Sequence, residues 1–530
     1  MKKKFTLTFI VVLIASFFII SCSLRPDTHN NLPEPEIQPF TIEEPDTIYC
    51  GLEPDTYYNP PELETLSFTI EDALYDFDYL IQLMQDTFPY FDVAKRRAGV
   101  FPLTSIEWIR VTSNSRVNSI DILELAKEAR TIIENYPYSL QSMAADLGIA
   151  FEDMPVFDEH VFWSIVTHEF FGHFVGFGHS LSSNFSVFNS LRAAYRQVSR
   201  RDFPLTGINA YVSGRSEVNN FYSEQEALFN TLSEEDPALF QFIFRTDPPE
   251  PPQSTSTSPP VVSTEIIEKD RIAYLRISTF WYPPARFMNE LLRFYRDIQN
   301  YDHLIIDIRG NGGGNPDFSR MLIMYPLWVD RDYMPDMPLY SLHVNSERGQ
   351  TLAGYHFTET ERRRTSQLAP QSDELLTIEQ LLETYDLPYL HPDCLQNLSH
   401  GMRFNASLAN IRGFLGRAGL SRVEPIPFEG QIWLLVDEEN FSASAMFARQ
   451  AREMGFATLV GEQVGGAYTS TFPSLFSLPK SGIMLQWDID YLVDEYGRAL
   501  NEFPTKPHYF NRPSMDALET TLALVAEGIY

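Results

Sequence analysis

The chain has 530 residues, 44% of them hydrophobic and 14% aromatic, which is enough to bury the cores of two or three domains and excludes a disordered chain. Its formal net charge is −31, and without the first 21 residues, which hold three lysines and no acid, the balance is 37 basic against 71 acidic residues. That excess of anions excludes nucleic acid and anionic lipid surfaces as electrostatic partners.

Residues 1–21 place Lys2–Lys4 before an apolar run from Phe9 to Ile20, the pattern of a targeting signal. The run ends Ile19-Ile20-Ser21-Cys22, a small residue before a cysteine, and resembles a bacterial lipoprotein signal. The resemblance implies lipid on Cys22 and a membrane-surface anchor at the cell envelope, periplasmic or surface-exposed, with no transmembrane helix in the mature chain. An ordinary export signal and an uncleaved anchor are the alternatives. Residues 22–65, rich in Pro, Asp, Glu, Asn and Thr, read as a disordered tether. Cys50 lies in it, and Cys394 is the third cysteine; export permits a disulfide between them but does not require one.

Residues 66–186 form the next unit, mainly helical: Ala73–Met84 and Ile120–Tyr136 carry apolar residues at helical spacing. Its last part, Asp158 to Ser183, holds four of the eleven histidines, His160, His168, His173 and His179. His168-Glu169 with His173 suggests a zinc helix, but the spacing is H-E-x-x-x-H. Two helical zinc ligands need i and i+4, and the extra residue turns His173 by about 100° away. Residues 187–263 are a helical connection, with no motif from Val187 to Phe244, ending in the Pro/Ser/Thr linker Asp247–Ser263.

Residues 264–530 are the candidate catalytic unit. Arg271–Phe280 alternates as a strand, Pro284–Gln299 is the following helix, and Leu304–Ile308 is a buried strand running into the glycine loop Gly310–Gly314. Glycines there permit positive φ and close approach of backbone N–H groups to a ligand. No Lys-Ser/Thr follows, so a phosphate loop is excluded. Leu339–Ile426 is mixed and is expected to contain a helical insertion over the site. Ile432–Val436 then reads as a strand, Ala443, Phe447, Ala451 and Met454 as one helix face stopped by Gly455, and Ala457–Val460 as a second strand. Ser442 heads that helix, where it serves either as an N-cap or as a hydroxyl beside free N–H groups and the positive helix end.

With Asp307, Arg309, Asn311, Gly313 and Gly314 as D-x-R-x-N-x-G-G and Phe441-Ser442-Ala443-Ser444-Ala445 as the nucleophile turn, the chain resembles the tail-specific (C-terminal processing) and tricorn-type serine peptidases. Their Ala and Glu in that turn are Phe441 and Ala445 here. The resemblance implies an α/β (α+β) catalytic domain with a ClpP/crotonase-like strand–helix core behind a mainly helical N-terminal domain. The tail-specific branch takes its base from a lysine after the nucleophile helix. Here that turn reads Gly461-Glu462-Gln463-Val464-Gly465-Gly466-Ala467, without lysine, and Lys480 sits in a separate hairpin. Gly178-His179-Ser180 resembles the tricorn-type turn that supplies a histidine, although Phe177 stands in place of its Asp. Gly497–His508 resembles the terminal family motif, with Glu502 at its acidic position.

The resemblance therefore implies a membrane-anchored serine endopeptidase in which Ser442 attacks, His179 takes its proton and Glu502 orients the imidazole. Ala443 and Gly313 or Gly314 would donate to the oxyanion. No cofactor and no metal are expected, and the partner is a peptide or unfolded protein. Two other readings stay open: a catalytically inactive peptide- or ligand-binding lipoprotein of the same fold, and a zinc hydrolase on His168, Glu169 and His173.

Overall fold

The computed structural model describes residues 68–97, 122–174, 177–195, 204–249, 260–282, 284–329, 335–365, 374–406 and 425–529. The leader over 1–21, the 22–65 tether with Cys22 and Cys50, and most of the Asp247–Ser263 linker lie outside these residues. Among the described residues thirteen strands build three sheets: β1 Leu181–Ser182, β2 Val262–Glu268, β3 Ile272–Ile277, β4 His303–Asp307, β5 Pro338–Val344, β6 Leu375–Thr377, β7 Leu398–Asn405, β8 Gln431–Val436, β9 Thr458–Gly461, β10 Ser474–Ser477, β11 Met484–Trp487, β12 Tyr491–Val493 and β13 Tyr509–Phe510.

The largest sheet runs β13-β9-β8-β4-β3-β2, parallel throughout except for the antiparallel edge strand β2. Its central strands are covered on both faces, which is why they are written as unbroken apolar runs. Alternation within them divides the burial. Leu304, Ile306, Leu434 and Val436 pack under the helices Met288–Ile298 and Ala443–Glu453, whereas Ile305, Trp433, Leu435 and Val460 pack under the C-terminal helix Ala517–Glu527. The smaller sheets are β12-β5-β7-β6 and β1-β11-β10, both antiparallel.

The N-terminal region is helical. Its first helix, Ile70–Thr87, opens on a reciprocal cap between Thr69 and Asp72 and buries Phe77, Leu80 and Met84. These side chains do not form a core of their own. They join Phe170, Phe171 and Phe174 in one apolar cluster with Leu475, Phe476, Leu485, Trp487 and Tyr491 from β10, β11 and β12. Buried Asp76 reinforces the joint, accepting from the Lys480 and Ser481 N–H groups at 2.9 and 2.7 Å and from Ser481 Oγ at 2.7 Å. The core thus crosses the boundaries placed at 186/187 and 263/264. Between 339 and 426 the chain supplies β5, β6 and β7 as well as the helices Glu347–Thr365 and Ile378–Thr384.

Candidate active site

β8 leaves the sheet into a tight turn held from three sides. The Asp437 N–H donates to Asn440 Oδ1 (2.9 Å), Asn440 Nδ2 donates to the Ile308 carbonyl (2.5 Å), and the Ser442 N–H donates to the Gly466 carbonyl (3.0 Å). Ser444 accepts the Phe441 N–H at 3.0 Å and donates to the Asn311 carbonyl, so it performs the capping work at this helix start. Ser442 itself makes no side-chain cap bond. Its backbone stands at φ 56°, ψ −122°, a region that costs a non-glycine residue of order 1–3 kcal/mol and persists only where the surroundings over-determine it. The outcome of that strain is the direction of Oγ, which lies 2.8 Å from His179 Nε2.

His179 reaches that point from the far side of the shared core. β1 pairs with β11 through Leu181↔Gln486 and Ser182↔Leu485, which lays the turn before β1 against the end of β11. Gln486 Nε2 donates to the His179 carbonyl (3.1 Å), and the His179 N–H donates to Asp488 Oδ2 (3.0 Å). The imidazole Nδ1 lies 2.9 and 3.0 Å from the two Asp488 oxygens. The edge of the ring meets Phe441 at a centroid distance of 5.3 Å. Gly178 makes the approach possible: its φ is +65°, and a Cβ there would stand 2.3 Å from Asp488 Oδ2. Asp488 is fully buried; burial pushes its carboxyl above the ordinary value, and the adjoining His179 opposes that rise.

The contact expected of Glu502 is therefore made by Asp488. An imidazole Nδ1 carries at most one proton, and both Asp488 oxygens share it, so the acid seat on His179 is filled. Glu502 sits in the turn after β12, its N–H donating to the Ala499 carbonyl at 3.1 Å. Sequence reasoning missed Asp488 although a signal existed: Gln486, Asp488 and Asp490 are the polar residues in the otherwise apolar run Ile483–Val493.

The glycine loop abuts the nucleophile turn. Asp307, fully buried, receives Arg309 (2.7 Å), Arg276 (3.0 Å) and the Tyr274 hydroxyl (2.6 Å); burial opposes its ionisation, but these donors hold its carboxyl below the ordinary value. Asn311 Nδ2 donates to the Ile277 carbonyl (3.1 Å), and its Oδ1 accepts the Gly313 N–H (2.8 Å). Gly313 has φ +98°, and a Cβ there would stand 2.5 Å from the Phe441 carbonyl and 2.9 Å from the Ala443 nitrogen. Of the donors expected for an oxyanion, Gly313 is thus already engaged. Among the described residues the Ala443 and Gly314 N–H groups donate to no acceptor.

The rival histidine set is dispersed. His168 lies in a π-turn, Val166–Phe170, and His173 in the 3-10 turn after it, in place of the expected α-helix. Burial holds His168 down at about 3 and also lowers His173, while Glu169 pairs with Arg245 at 3.3 Å. Among the described residues, the group that brings three potential ligand atoms within 4.8 Å of one another is Glu159, His160 and Glu224, which does not include these residues. Lys480 is half exposed, near Asp72 (3.7 Å) and over the Tyr75 ring.

Residues 271–509 match the model of peptidase family S41. His179 precedes that span, whereas Ser442, Asp488, the glycine loop and Glu502 lie within it. No curated protein sequence matches the chain. Among solved structures, the chain is similar to mature CPAF complexed with lactacystin, at 13% identity and a TM-score of 0.41, over 83% of this chain and 94% of that one. A lipoprotein from Streptococcus agalactiae aligns at 10% identity and TM-score 0.39, over 88% and 100%. The photosystem II D1 C-terminal processing protease aligns at 15% and 0.28, over 49% and 50%.

Proposed function

We propose that this chain, whose residues 271–509 are a serine-peptidase domain of family S41, hydrolyses peptide bonds through Ser442, His179 and Asp488. The observation that carries the reading is the hydrogen-bonded series Ser442 Oγ–His179 Nε2–Nδ1–Asp488, at 2.8 and 2.9 Å. A carboxylate only accepts, so Nδ1 carries the proton and Nε2 keeps a free lone pair facing the serine hydroxyl. Ser442 Oγ attacks the scissile carbonyl as Nε2 takes its proton. The buried Asp488 anion then stabilises the imidazolium, which returns the proton to the leaving amine. Water repeats the sequence on the acyl-enzyme. Ala443 and Gly314 are the N–H donors for the oxyanion, one such donor being worth about 10²–10³ in kcat.

The substrate is a peptide or unfolded protein chain, and the enzyme is held at the cell envelope by lipid on Cys22. Among the described residues no helix is long and apolar enough to cross a membrane. A fluorophosphonate probe should label the wild type and fail on Ser442→Ala. On a fluorogenic peptide, Ser442→Ala and His179→Ala should each lose orders of magnitude in kcat, and the double variant little more, because members of a triad act as a unit. A wild type that binds peptide but never labels or turns over is instead an inactive binding protein. For the anchor, a palmitate analogue should mark the wild type in cells and miss Cys22→Ala; equal labelling of both would remove it.

A further inference from the structure

Two residues beyond Asp488 lies a second buried carboxylate that the proposed reaction does not use. Asp490 is fully buried and accepts Thr469 Oγ1 (2.6 Å), Ser470 Oγ (2.6 Å), the Ser470 N–H (2.9 Å) and Ser341 Oγ (3.2 Å). Behind Ser470 stand two buried histidines in series. Ser470 Oγ lies 3.3 Å from His356 Nε2, His356 Nδ1 lies 3.2 Å from His343 Nε2, and His343 Nδ1 lies 3.1 Å from the Ile489 carbonyl.

Counting protons along this series assigns each donor. A carbonyl only accepts, so His343 Nδ1 carries a proton. Burial holds His343 at about 4, so this ring is neutral near pH 7 and its Nε2 accepts. His356 Nδ1 must then be the donor. At the other end, the single Ser470 hydroxyl proton goes to Asp490 across the shorter, 2.6 Å contact, leaving Ser470 Oγ an acceptor toward His356 Nε2. On that assignment both nitrogens of His356 carry protons, which would make the ring an imidazolium beside the Asp490 anion. Burial opposes ionisation of Asp490, but the His356 charge and the Ser470 and Thr469 hydroxyls hold it below the ordinary carboxylate value.

Around the pair, β5 contributes Ser341 and His343, and β7 contributes His400, which faces His343. On the His356 helix, Arg348 is directed to Asp86 and Glu359 to the Leu205 and Thr206 N–H groups. Tyr90 donates to the Asp490 carbonyl at 2.6 Å, and Asp488 stands on the other side of Ile489 with His179. Two histidines thus meet Asp490 through a shared hydroxyl, His356 through Ser470 and His343 through Ser341, whose Oγ lies 3.4 Å from His343 Nε2; of the two, His343 is held neutral by burial.

We propose that Asp490, Ser470 and His356 form a second buried acid–hydroxyl–imidazole series in which His356 is an imidazolium, and that it is a positioning device for the proposed active site. It grips both halves of that site. Asp490 shares the short link between β11 and β12 with Asp488, and its negative charge raises the Asp488 carboxyl. Through Thr469 and Ser470 it also tethers the strap whose Gly466 carbonyl accepts the Ser442 N–H. Without the His356 charge, one of two neighbouring buried carboxylates must take up a proton, and either choice loosens the hold on His179 or on Ser442. The positioning role rests on the peptidase reading of Ser442; the protonation of His356 does not.

The protonation is tested on full-length protein with ¹⁵N-labelled histidines, the His356 signals being those lost in His356→Gln. At pH 7.5, above the ordinary histidine value of about 6.5, His356 should still show two protonated ring nitrogens. A neutral ring at that pH overturns the proposal. If His356→Gln does not fold, Ser470→Ala identifies the ring by shifting its Nε2 signal. The role is tested on a fluorogenic peptide, where His356→Gln should lower kcat roughly 10- to 100-fold with KM little changed. Adding Asp490→Asn removes the stranded anion and should recover part of the loss, whereas a packing role would make the two losses add. Additive losses refute the positioning role. A wild type without turnover refutes the peptidase reading and leaves the ¹⁵N result to decide the charge.

Discussion

Two glycines with nearly the same φ and different neighbours isolate what the Asp488–His179 contact is worth. Gly178 has φ +65° and Gly455 has φ +68°, so alanine at either site carries a similar left-handed strain of about 1–2 kcal/mol. The surroundings differ. A Cβ on Gly455 would meet nothing within 4 Å, whereas a Cβ on Gly178 would stand 2.3 Å from Asp488 Oδ2 and 3.1 Å from its Cγ. Ordinary contact begins near 3.4 Å, so the carboxyl must retreat by about an ångström. It cannot do so and keep both the 2.9 Å bond to Nδ1 and the 3.0 Å bond from the His179 N–H. A displacement of that size at a reacting group is worth about 10² in rate. Loss of the partner on Nδ1 altogether is worth about 10⁴, through the wrong tautomer. The expected outcome is that Gly455→Ala lowers the thermal midpoint by the backbone strain alone and Gly178→Ala by more, while kcat of the folded enzyme on a fluorogenic peptide falls at least 100-fold in Gly178→Ala alone. Equal activity in the two variants would show that Asp488 does not work through this contact.

The same contact separates the two acids: Asp488→Asn should lose about 10³–10⁴ in kcat and Glu502→Gln no more than a few-fold, and the reverse ranking would return the acid role to Glu502. Stability should carry the mark of Asp76, whose carboxyl burial raises to about 6 against the hydrogen bonds from Ser481 and Lys480. Folded Asp76 holds its proton more tightly than unfolded Asp76, so its contribution is greatest below about pH 4 and is lost as pH rises through 6, by roughly 3 kcal/mol. Urea unfolding at pH 4.5 and pH 7 should therefore show wild type losing ground relative to Asp76→Asn; a difference that does not change with pH refutes this assignment.

What could be read from residues alone follows from how each element is buried. β4 and β8 are sandwiched between helices, so their inner positions, Leu304–Ile306 and Ile432–Val436, are all apolar and the runs announce themselves. The Ala443–Glu453 helix lays one face on that sheet, and its 3.6-residue spacing ends at a glycine that adopts the positive φ expected of it. Ser442 stands out because it heads such a helix. Asp488 does not. From Gln486 to Tyr491 polar and apolar residues alternate, the pattern of a strand with one wet face. That face is dry here because the turn before β1 covers Asp488 and the Thr469–Ser470 segment covers Asp490, and β1 is two residues long, with no sequence signature of its own.

This hidden pairing also changes what the N-terminal helices are for. Composition and periodicity show only that they are helices; the expectation that His179 among them serves as the base comes from the resemblance of its turn. In the folded chain His179 and Asp488 are 309 residues apart and share two kinds of contact, N–H to carboxylate and ring to carboxylate. The aromatic side chains around them, Phe88, Phe171, Phe174 and Trp487, come from both ends of the sequence and fill one core. The S41 match, which begins at residue 271, contains the serine and the acid but not the histidine. In the proposed mechanism the base is thus delivered by the part of the chain outside the matched domain. The hydrophobic core that joins the two parts is what holds its Nε2 within 2.8 Å of the nucleophile.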